Sequence, residues 1–283
     1  EGLKKAIDLG VKAEEYIQQF LKPPHRLEYE KTFWPFILFS KKRYLGNKYE
    51  FDVDKYKETS MGIVTKRRDN AKIVKYVYNH VKDCLLNTKN LQSSIDILNH
   101  DLNELLDGKF KMNMLTITKN LRGFYANPEQ IAHKVLADRM AERDPGNKPQ
   151  SNDRIPYVYI ETKETKGKKV LQGDRVEHPV YIEENNLKPD YAFYITNQIM
   201  KPVGQIYSLI VETLPGFNKG AGYYKRRYQY YYNKFNKDEK KTIDKINDEK
   251  MADVEKLVFG DVLRKANNRK TKTREITDFF KKL

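Results

Sequence analysis

The spacing of apolar side chains along this chain changes from helical to alternating and back, and each change predicts an element. Leu3, Ile7, Ala13, Ile17 and Phe20 fall near one stripe of a helix over residues 1–21, which Pro23 and Pro24 stop. From Leu27 the period is two. Leu27, Tyr29 and Phe33 take one face of a predicted strand and Glu28 and Glu30 the other, roughly 7 Å apart at ~3.3 Å per residue. Trp34-Pro35 reads as a turn, and Phe36 to Phe39 as a second strand running on into Lys-Lys-Arg-Tyr. Gly46-Asn47 reads as another turn, into a strand over Tyr49 to Val53.

From Asn70 the period is helical again. Ile73, Val77 and Val81 line one helix, and Ile95, Leu98, Leu102 and Leu105 another, with Ser93 or Ser94 as its cap. Asn127-Pro128-Glu129 predicts a helix start ahead of Ile131 and Val135. Arg154 to Glu161 alternates as a strand, residues 162–169 form a lysine-rich surface loop, and Pro189 to Val211 returns to helix. The order predicts an α+β fold: antiparallel strands with a helix, a mainly helical part with a small β element, then a basic C-terminal tail.

Charge narrows the partners. The 283 residues carry 54 Lys plus Arg against 39 Asp plus Glu, a net +15, which favours a polyanion through counterion release. Charge alone does not say which one, since ribosomal, membrane-surface and chromatin proteins share such a balance. The single cysteine, Cys84, excludes an internal disulfide or a Cys-rich metal module and is consistent with a reducing, intracellular compartment. No apolar run approaches the ~20 residues of a membrane span, so no membrane is expected as a partner.

Candidate chemistry concentrates in LEYEKTFWPFILFSKKRY, residues 27 to 44. Two acids on one face can hold a divalent cation. The predicted second strand places Lys42 and Tyr44 on one face and Lys41 and Arg43 on the other. A lysine and a tyrosine so placed can bond phosphate oxygens or the minor-groove acceptors of every base pair, gripping a duplex without reading it. The blander alternatives are a solvated strand face for the acids and a charged strand end for the cations.

At these residues the chain resembles the family B DNA polymerases, whose palm carries an LEFEK segment followed by KKRY. MGIVTKRRDNA, Met61 to Ala71, resembles the family's KGIETVRRD between palm and thumb, with Met61 where lysine is usual. LTITKNL, Leu115 to Leu121, resembles the thumb's L-x-I-T-K. DRIPYVYI, Asp153 to Ile160, resembles G-D-R-V-P-Y-V, with Asn152 in the glycine position. NNLKPDYAFYITNQIMKPVGQI, Asn185 to Ile206, is similar to the late-thumb D-x-x-Y-Y-x-x-x-Q-x-x-x-P. The spellings are most similar to those of large double-stranded DNA viruses.

The resemblance implies a palm portion over 1–60, a thumb over 61–215 and a basic tail over 216–283. It implies that Glu30, with Glu28, serves as an accessory acid beside a two-metal Mg²⁺ site. Lys41, Lys42, Arg43, Tyr44, Lys66, Arg67, Arg68, Thr118 and Lys119 would then contact primer-template DNA. The blander reading of Arg67 and Arg68 is pairing with Asp69 or other surface acids, and that of Thr118-Lys119 is a helix cap. The family's D-x-x-S-L-Y-P and Y-G-D-T-D-S strings do not occur in this sequence. Catalysis with deoxynucleotides is therefore expected to need the remainder of the polymerase, on the same or a separate chain, at a site of viral or cellular DNA replication. Asp52 and Asp54 form a D-x-D that reads as a solvated strand face, and the five histidines show no metal-ligand spacing.

Gly216, Gly220 and Gly222 read as a hinge, lacking the frame of a phosphate-binding loop. From Gly220 onward Lys plus Arg exceed acids by eight, more than half of the chain's excess. Six tyrosines between Tyr223 and Tyr232 either stack on unpaired bases or pack inward, and the sequence leaves this open. The terminal KTREITDFFKKL is similar to sliding-clamp-binding peptides, with Ile276, Phe279 and Phe280 as plug and aromatics and Thr273 where glutamine is usual. The alternative to a polymerase portion is a non-catalytic DNA-binding or processivity protein derived from a polymerase thumb.

Overall fold

The computed structural model describes residues 1–66, 69–162, 170–271 and 273, and of Lys66 only the backbone. The chain divides into two compact units. The first holds Glu1–Lys66 with Leu86–Lys89, and the second holds the described residues from 69 to 85 and from 90 onward. Both are mixtures of helix and antiparallel sheet, as the alternation of periods predicts.

In the first unit, helix α1 (Gly2–Gln18) packs against a three-stranded sheet in the order β1 (Thr32–Ser40), β2 (Arg43–Tyr49), β3 (Tyr56–Met61). The expected apolar stripe of α1 is buried only at Ile7, whereas Ile17 and Phe20 stay exposed, as do Leu9 and Tyr16 off that stripe. The segment holding Glu28 and Glu30 belongs to no strand. Its inward backbone groups are satisfied by α1: Gln18 Oε1 accepts from the Leu27 N–H at 3.1 Å and Glu14 Oε2 from the Tyr29 N–H at 2.7 Å. Side-chain acceptors here replace the neighbouring strand, and of the predicted apolar face Tyr29 is half-buried whereas Leu27 stays exposed.

Trp34-Pro35 is not a turn. It lies within β1, where the register slips from Phe33↔Lys48 to Phe36↔Gly46, so that the extra residue forms a bulge. A bulge accommodates a proline that cannot donate to the ladder. The chain turns instead at Lys41-Lys42, between paired Ser40 and Arg43, with Lys42 at φ +61°. Gly46-Asn47, expected as a turn, lies buried in the middle of β2, where a Cβ on Gly46 would come within 2.6 Å of the Pro35 carbonyl. The expected strand over Tyr49 to Val53 is displaced, because Asp52 Oδ1 accepts the Asp54 N–H at 2.9 Å and closes a turn into β3.

Helix α2 (Lys72–Thr88) begins in the second unit. There α3 (Leu91–Leu106), α4 (Met112–Leu115), β4 (Ile117–Asn120), α5 (Ala132–Arg143), β5 (Arg154–Tyr159), β6 (Val176–Glu177) and α6 (Pro179–Glu184) follow. Ile73, Val77, Val81, Ile95, Leu98, Leu102 and Leu105 are all buried, as their helical spacing predicts. The cap of α3 is Asn90 rather than a serine: its side chain accepts the Ser93 N–H at 3.1 Å. Ser94 is buried, where its Oγ accepts from the Tyr207 hydroxyl at 3.1 Å. Asn127-Pro128-Glu129 opens a short 3₁₀ turn, Pro128–Gln130, ahead of α5.

Strands β4, β5 and β6 form a second antiparallel sheet. The start of a long helix made of α7 (Tyr191–Phe193), a π-helical turn (Tyr194–Ile199) and α8 (Met200–Ser208) meets the end of β5, where Phe193 stacks on Tyr159. Tyr194 is fully buried at the joint; its hydroxyl donates to the Leu115 carbonyl at 2.7 Å and accepts the Tyr159 N–H at 3.1 Å. Burial pushes its phenol well above the usual range. Asn152 holds φ +75°, a left-handed conformation that asparagine tolerates among side-chain-bearing residues, which accounts for its standing in a glycine position.

The region beyond residue 215 is folded through 271. Helices α9 (Tyr223–Lys234), α10 (Glu239–Val254) and α11 (Gly260–Thr271) follow one another, with a π-turn (Glu255–Phe259) joining the last two. α10 packs on α8 and α9, and α11 on α3. Tyr224 and Tyr231 of α9 are buried; the Tyr231 hydroxyl donates to Glu249 Oε1 at 2.6 Å, and the Tyr224 hydroxyl donates to Asp253. No helix among the described residues is long and apolar enough to cross a membrane.

Replacing Tyr194 with phenylalanine leaves a buried N–H and a buried carbonyl without their shared hydroxyl, and should cost about 1–3 kcal/mol in urea unfolding. An unchanged unfolding midpoint would remove Tyr194 from this role. His133, half-buried and facing the Tyr125 hydroxyl at 3.0 Å, is held below its usual pKa of 6.5 by burial. The fold thus prefers the neutral ring, so its contribution is present above that value and is lost as pH falls below it. His133→Gln should shrink the loss of thermal stability between about pH 7.5 and about pH 5.5, and an identical loss in both proteins would assign the acid sensitivity elsewhere.

Candidate nucleic-acid interface

In the first unit, the Lys41-Lys42 turn is an exposed tip whose support comes from another segment. Gly62, at φ +63°, lies against it so closely that a Cβ would meet the Lys42 carbonyl at 2.4 Å. Glycine is therefore needed under the turn. Arg43 reaches the same place, with Nε donating to the Gly62 carbonyl at 3.4 Å and the guanidinium 5.9 Å from the Phe39 ring centre. Met61, paired with Tyr44 across β2 and β3, and Gly62 thus hold the lysine turn from beneath. The segment with the MGI spelling braces the one with the KKRY spelling.

The four residues of that second segment separate by role. Lys41 and Lys42 are exposed, whereas Arg43 is drawn back onto Gly62. Tyr44 is half-buried in a ring cluster, 5.8 Å from Phe33 and 5.6 Å from Phe36 between centroids. Lys42 and Tyr44 consequently do not share a strand face, since Lys42 is part of the turn. Arg67, Arg68, Ile276, Phe279 and Phe280 lie outside the described residues, as does the side chain of Lys66.

Glu28 and Glu30 both face solvent and already have cationic neighbours. Glu28 pairs with Arg26 at 3.0 Å and Glu30 with Lys31. The Lys31 ammonium titrates above its usual range, first through its hydrogen bond with Glu30 and then through the charges of Glu30, Tyr44 and Glu50. No group of three or more His, Cys, Asp or Glu side chains among the described residues is arranged to hold a metal ion. Two exposed, separately paired carboxylates do not make a magnesium site by themselves.

In the second unit, Thr118 and Lys119 are on β4, opposite Pro156 and Ile155 of β5, so neither caps a helix. Lys119 Nζ meets Asp69 Oδ2 at 3.0 Å, bringing together residues fifty positions apart. The aspartate next to Arg68 is thereby tied to the lysine of the ITK segment. Both partners remain about one-third exposed, so the pair is screened and of modest energy.

Sequence reasoning passed over the loop after β4. Tyr125 OH accepts the Arg122 N–H at 2.8 Å and faces His133, while Phe124 stands 83 % exposed at the tip beside Arg122. The available signal was an aromatic pair next to an arginine in a short glycine-containing loop, which spacing rules do not single out.

The family whose model matches is DNA polymerase family B, over residues 1–210. The chain is 51 % identical over 280 residues to the DNA polymerase of Pyramimonas orientalis virus, covering 99 % of this chain and 23 % of that protein. It is 47 % identical over 215 residues to the Acanthamoeba polyphaga mimivirus DNA polymerase, covering 75 % and 12 %. Against the DNA polymerase delta catalytic subunit of Glycine max it is 36 % identical over 214 residues, covering 74 % and 19 %. It thus spans less than a quarter of the length of these relatives. Among solved structures, a family B DNA polymerase from the archaeon Pyrobaculum calidifontis shares the fold, with a TM-score of 0.53 and 17 % identity over 69 % of this chain and 24 % of that one. With a match over residues 1–210 and a hairpin, a lysine turn and a β4 strand built on the motif residues, this chain belongs to the family B DNA polymerases.

Proposed function

We propose that this chain is the part of a DNA-directed DNA polymerase that holds the primer-template duplex, with metal-dependent nucleotidyl transfer carried out in the remainder of the enzyme. The observation that carries the reading is the exposed Lys41-Lys42 turn, braced by Gly62 and Arg43. Two ammonium groups on a supported tip can meet phosphates without selecting bases, as a copying enzyme requires. The net +15 adds a long-range attraction for the polyanion.

Each residue set contributes differently to this reading. Tyr44 is held between the rings of Phe33 and Phe36 and supplies a hydroxyl next to the lysine turn in sequence. Lys119 contributes a further cation, moderated by Asp69, and Thr118 precedes it on β4. Lys66, Arg67 and Arg68 enter through their likeness to the family's RRD segment, and arginine's planar fork suits phosphate. Glu28 and Glu30 enter only as accessory acids beside metal ligands supplied from elsewhere. No catalytic step is assigned to them. The KTREITDFFKKL terminus enters as a clamp tether, with Ile276, Phe279 and Phe280 as its apolar anchor.

Duplex binding by the Lys41→Ala/Lys42→Ala double variant should weaken, and the slope of log affinity against log salt should become shallower by roughly 0.9 for each phosphate no longer neutralised. Fluorescence anisotropy with two duplexes of different sequence measures both slope and indifference to sequence. An unchanged slope, or a tenfold preference for one duplex, would count against the grip. In the complete polymerase, Phe279→Ala/Phe280→Ala should abolish stimulation by a sliding clamp and leave distributive extension intact. Clamp stimulation that persists in this variant would dismiss the tail as tether.

A further inference from the structure

Helix α9 has the sequence YYKRRYQYYYNK, four cations and no acid in twelve residues. It begins beyond residue 210, where the family match ends. The structure separates its tyrosines by role. Tyr224 and Tyr231 are buried against α10, whereas Tyr230 is 52 % exposed and Tyr223 half-buried on the helix's flank. Tyr223, Arg227, Tyr230 and Lys234 follow at spacings of four, three and four, which places them on one stripe of the helix. Seven residues separate the two rings, about 10 Å along the axis.

Cations alternate with these rings. Lys219 Nζ lies 4.9 Å from the Tyr223 ring centre, and the Arg227 guanidinium and Lys234 ammonium lie 5.3 Å and 5.8 Å from that of Tyr230. Two of these cations are themselves fixed. Lys219 meets both carboxylate oxygens of Asp253 at 2.7 and 2.6 Å, and Arg227 grips Glu249 at 2.6 and 3.1 Å. Their charge is answered by acid, so their effect is to hold the rings in place. Lys225, Arg226, Lys234 and Lys237 remain on the exposed side, where a phosphate chain can reach them.

We infer that the outward face of α9 is a binding surface for single-stranded DNA, with Tyr230 as a stacking platform and Arg226, Lys234 and Lys237 as its phosphate contacts. The chemistry favours this occupant over two others. A protein partner would meet a surface depleted in lysine, and here lysines flank the aromatic at both ends. A duplex offers phosphates but keeps its base faces stacked, leaving an exposed, immobilised ring unused. Unpaired bases supply π-faces and phosphates together, and stacking on a ring held in advance costs little ordering. None of the residues of the duplex grip proposed above takes part.

The test compares fluorescein-labelled oligo-dT, an abasic deoxyribose-phosphate strand of equal length and a duplex, each titrated with the full 283-residue chain. The chain should bind oligo-dT more tightly than the abasic strand. Tyr230→Ala should remove about fivefold or more of oligo-dT affinity and abolish that preference. Tyr230→Phe, which keeps the ring, should retain it. Lys41→Ala/Lys42→Ala should lower duplex affinity and leave the preference for bases unchanged, which separates this site from the duplex grip. Equal affinity for based and abasic strands, an unaltered oligo-dT affinity in Tyr230→Ala with unchanged circular dichroism, or equal competition by poly-glutamate would overturn the inference. The last result would reassign the face to an acidic protein.

Discussion

The second unit depends on one buried hydroxyl. Tyr194 is fully enclosed, and its oxygen stands between the end of α4 and the end of β5, donating to one backbone and accepting from the other. Sheet and long helix are thereby joined through main-chain groups that have no water to turn to. Such a joint tolerates few alternatives, because losing the hydroxyl strands two polar groups in an apolar interior. The π-turn starting at Tyr194 belongs to the same arrangement, since it spans the residues between α7 and α8 around this contact. Lys119, on the strand paired with β5, takes its position from the same frame.

The first unit solves a different problem. A turn of two lysines needs support, because neighbouring like charges and a left-handed residue both oppose a compact tip. Support comes from Gly62, whose lack of a side chain lets backbone meet backbone, and from Arg43, which is committed to the Gly62 carbonyl. Pairing with β2 continues through the Trp34-Pro35 bulge and a second register shift between Leu38 and Ser40, so the chain reverses only at Lys41 and Lys42. The division between structural Arg43 and outward Lys41 and Lys42 then follows from geometry.

Beyond residue 210, where the family match ends, the same logic of fixed charge recurs. Asp253 and Glu249 on α10 hold Lys219 and Arg227, and these in turn lie against the rings of α9. Acids of one helix thus order the cation–aromatic flank of the next. The six clustered tyrosines divide according to which side of α9 meets α10, a fact of packing that no property of tyrosine predicts.

The helical spacing of Ile73, Val77, Val81, Ile95, Leu98, Leu102 and Leu105 was enough to foretell their burial, because one stripe of a helix must leave water wherever that helix packs. The alternating strand at Arg154, the α+β class and the family likeness were equally legible, since local period and motif order are written along the chain. Turns were not. Trp34-Pro35 and Gly46-Asn47 carry strong local turn signals, yet both lie in strands, because pairing across β1, β2 and β3 outweighs the preference of a dipeptide. Cap choice at Asn90, the exposure of α1 and the union of Lys119 with Asp69 likewise required the tertiary structure. Each depends on partners far away in sequence, and periodicity carries no information about distance between segments.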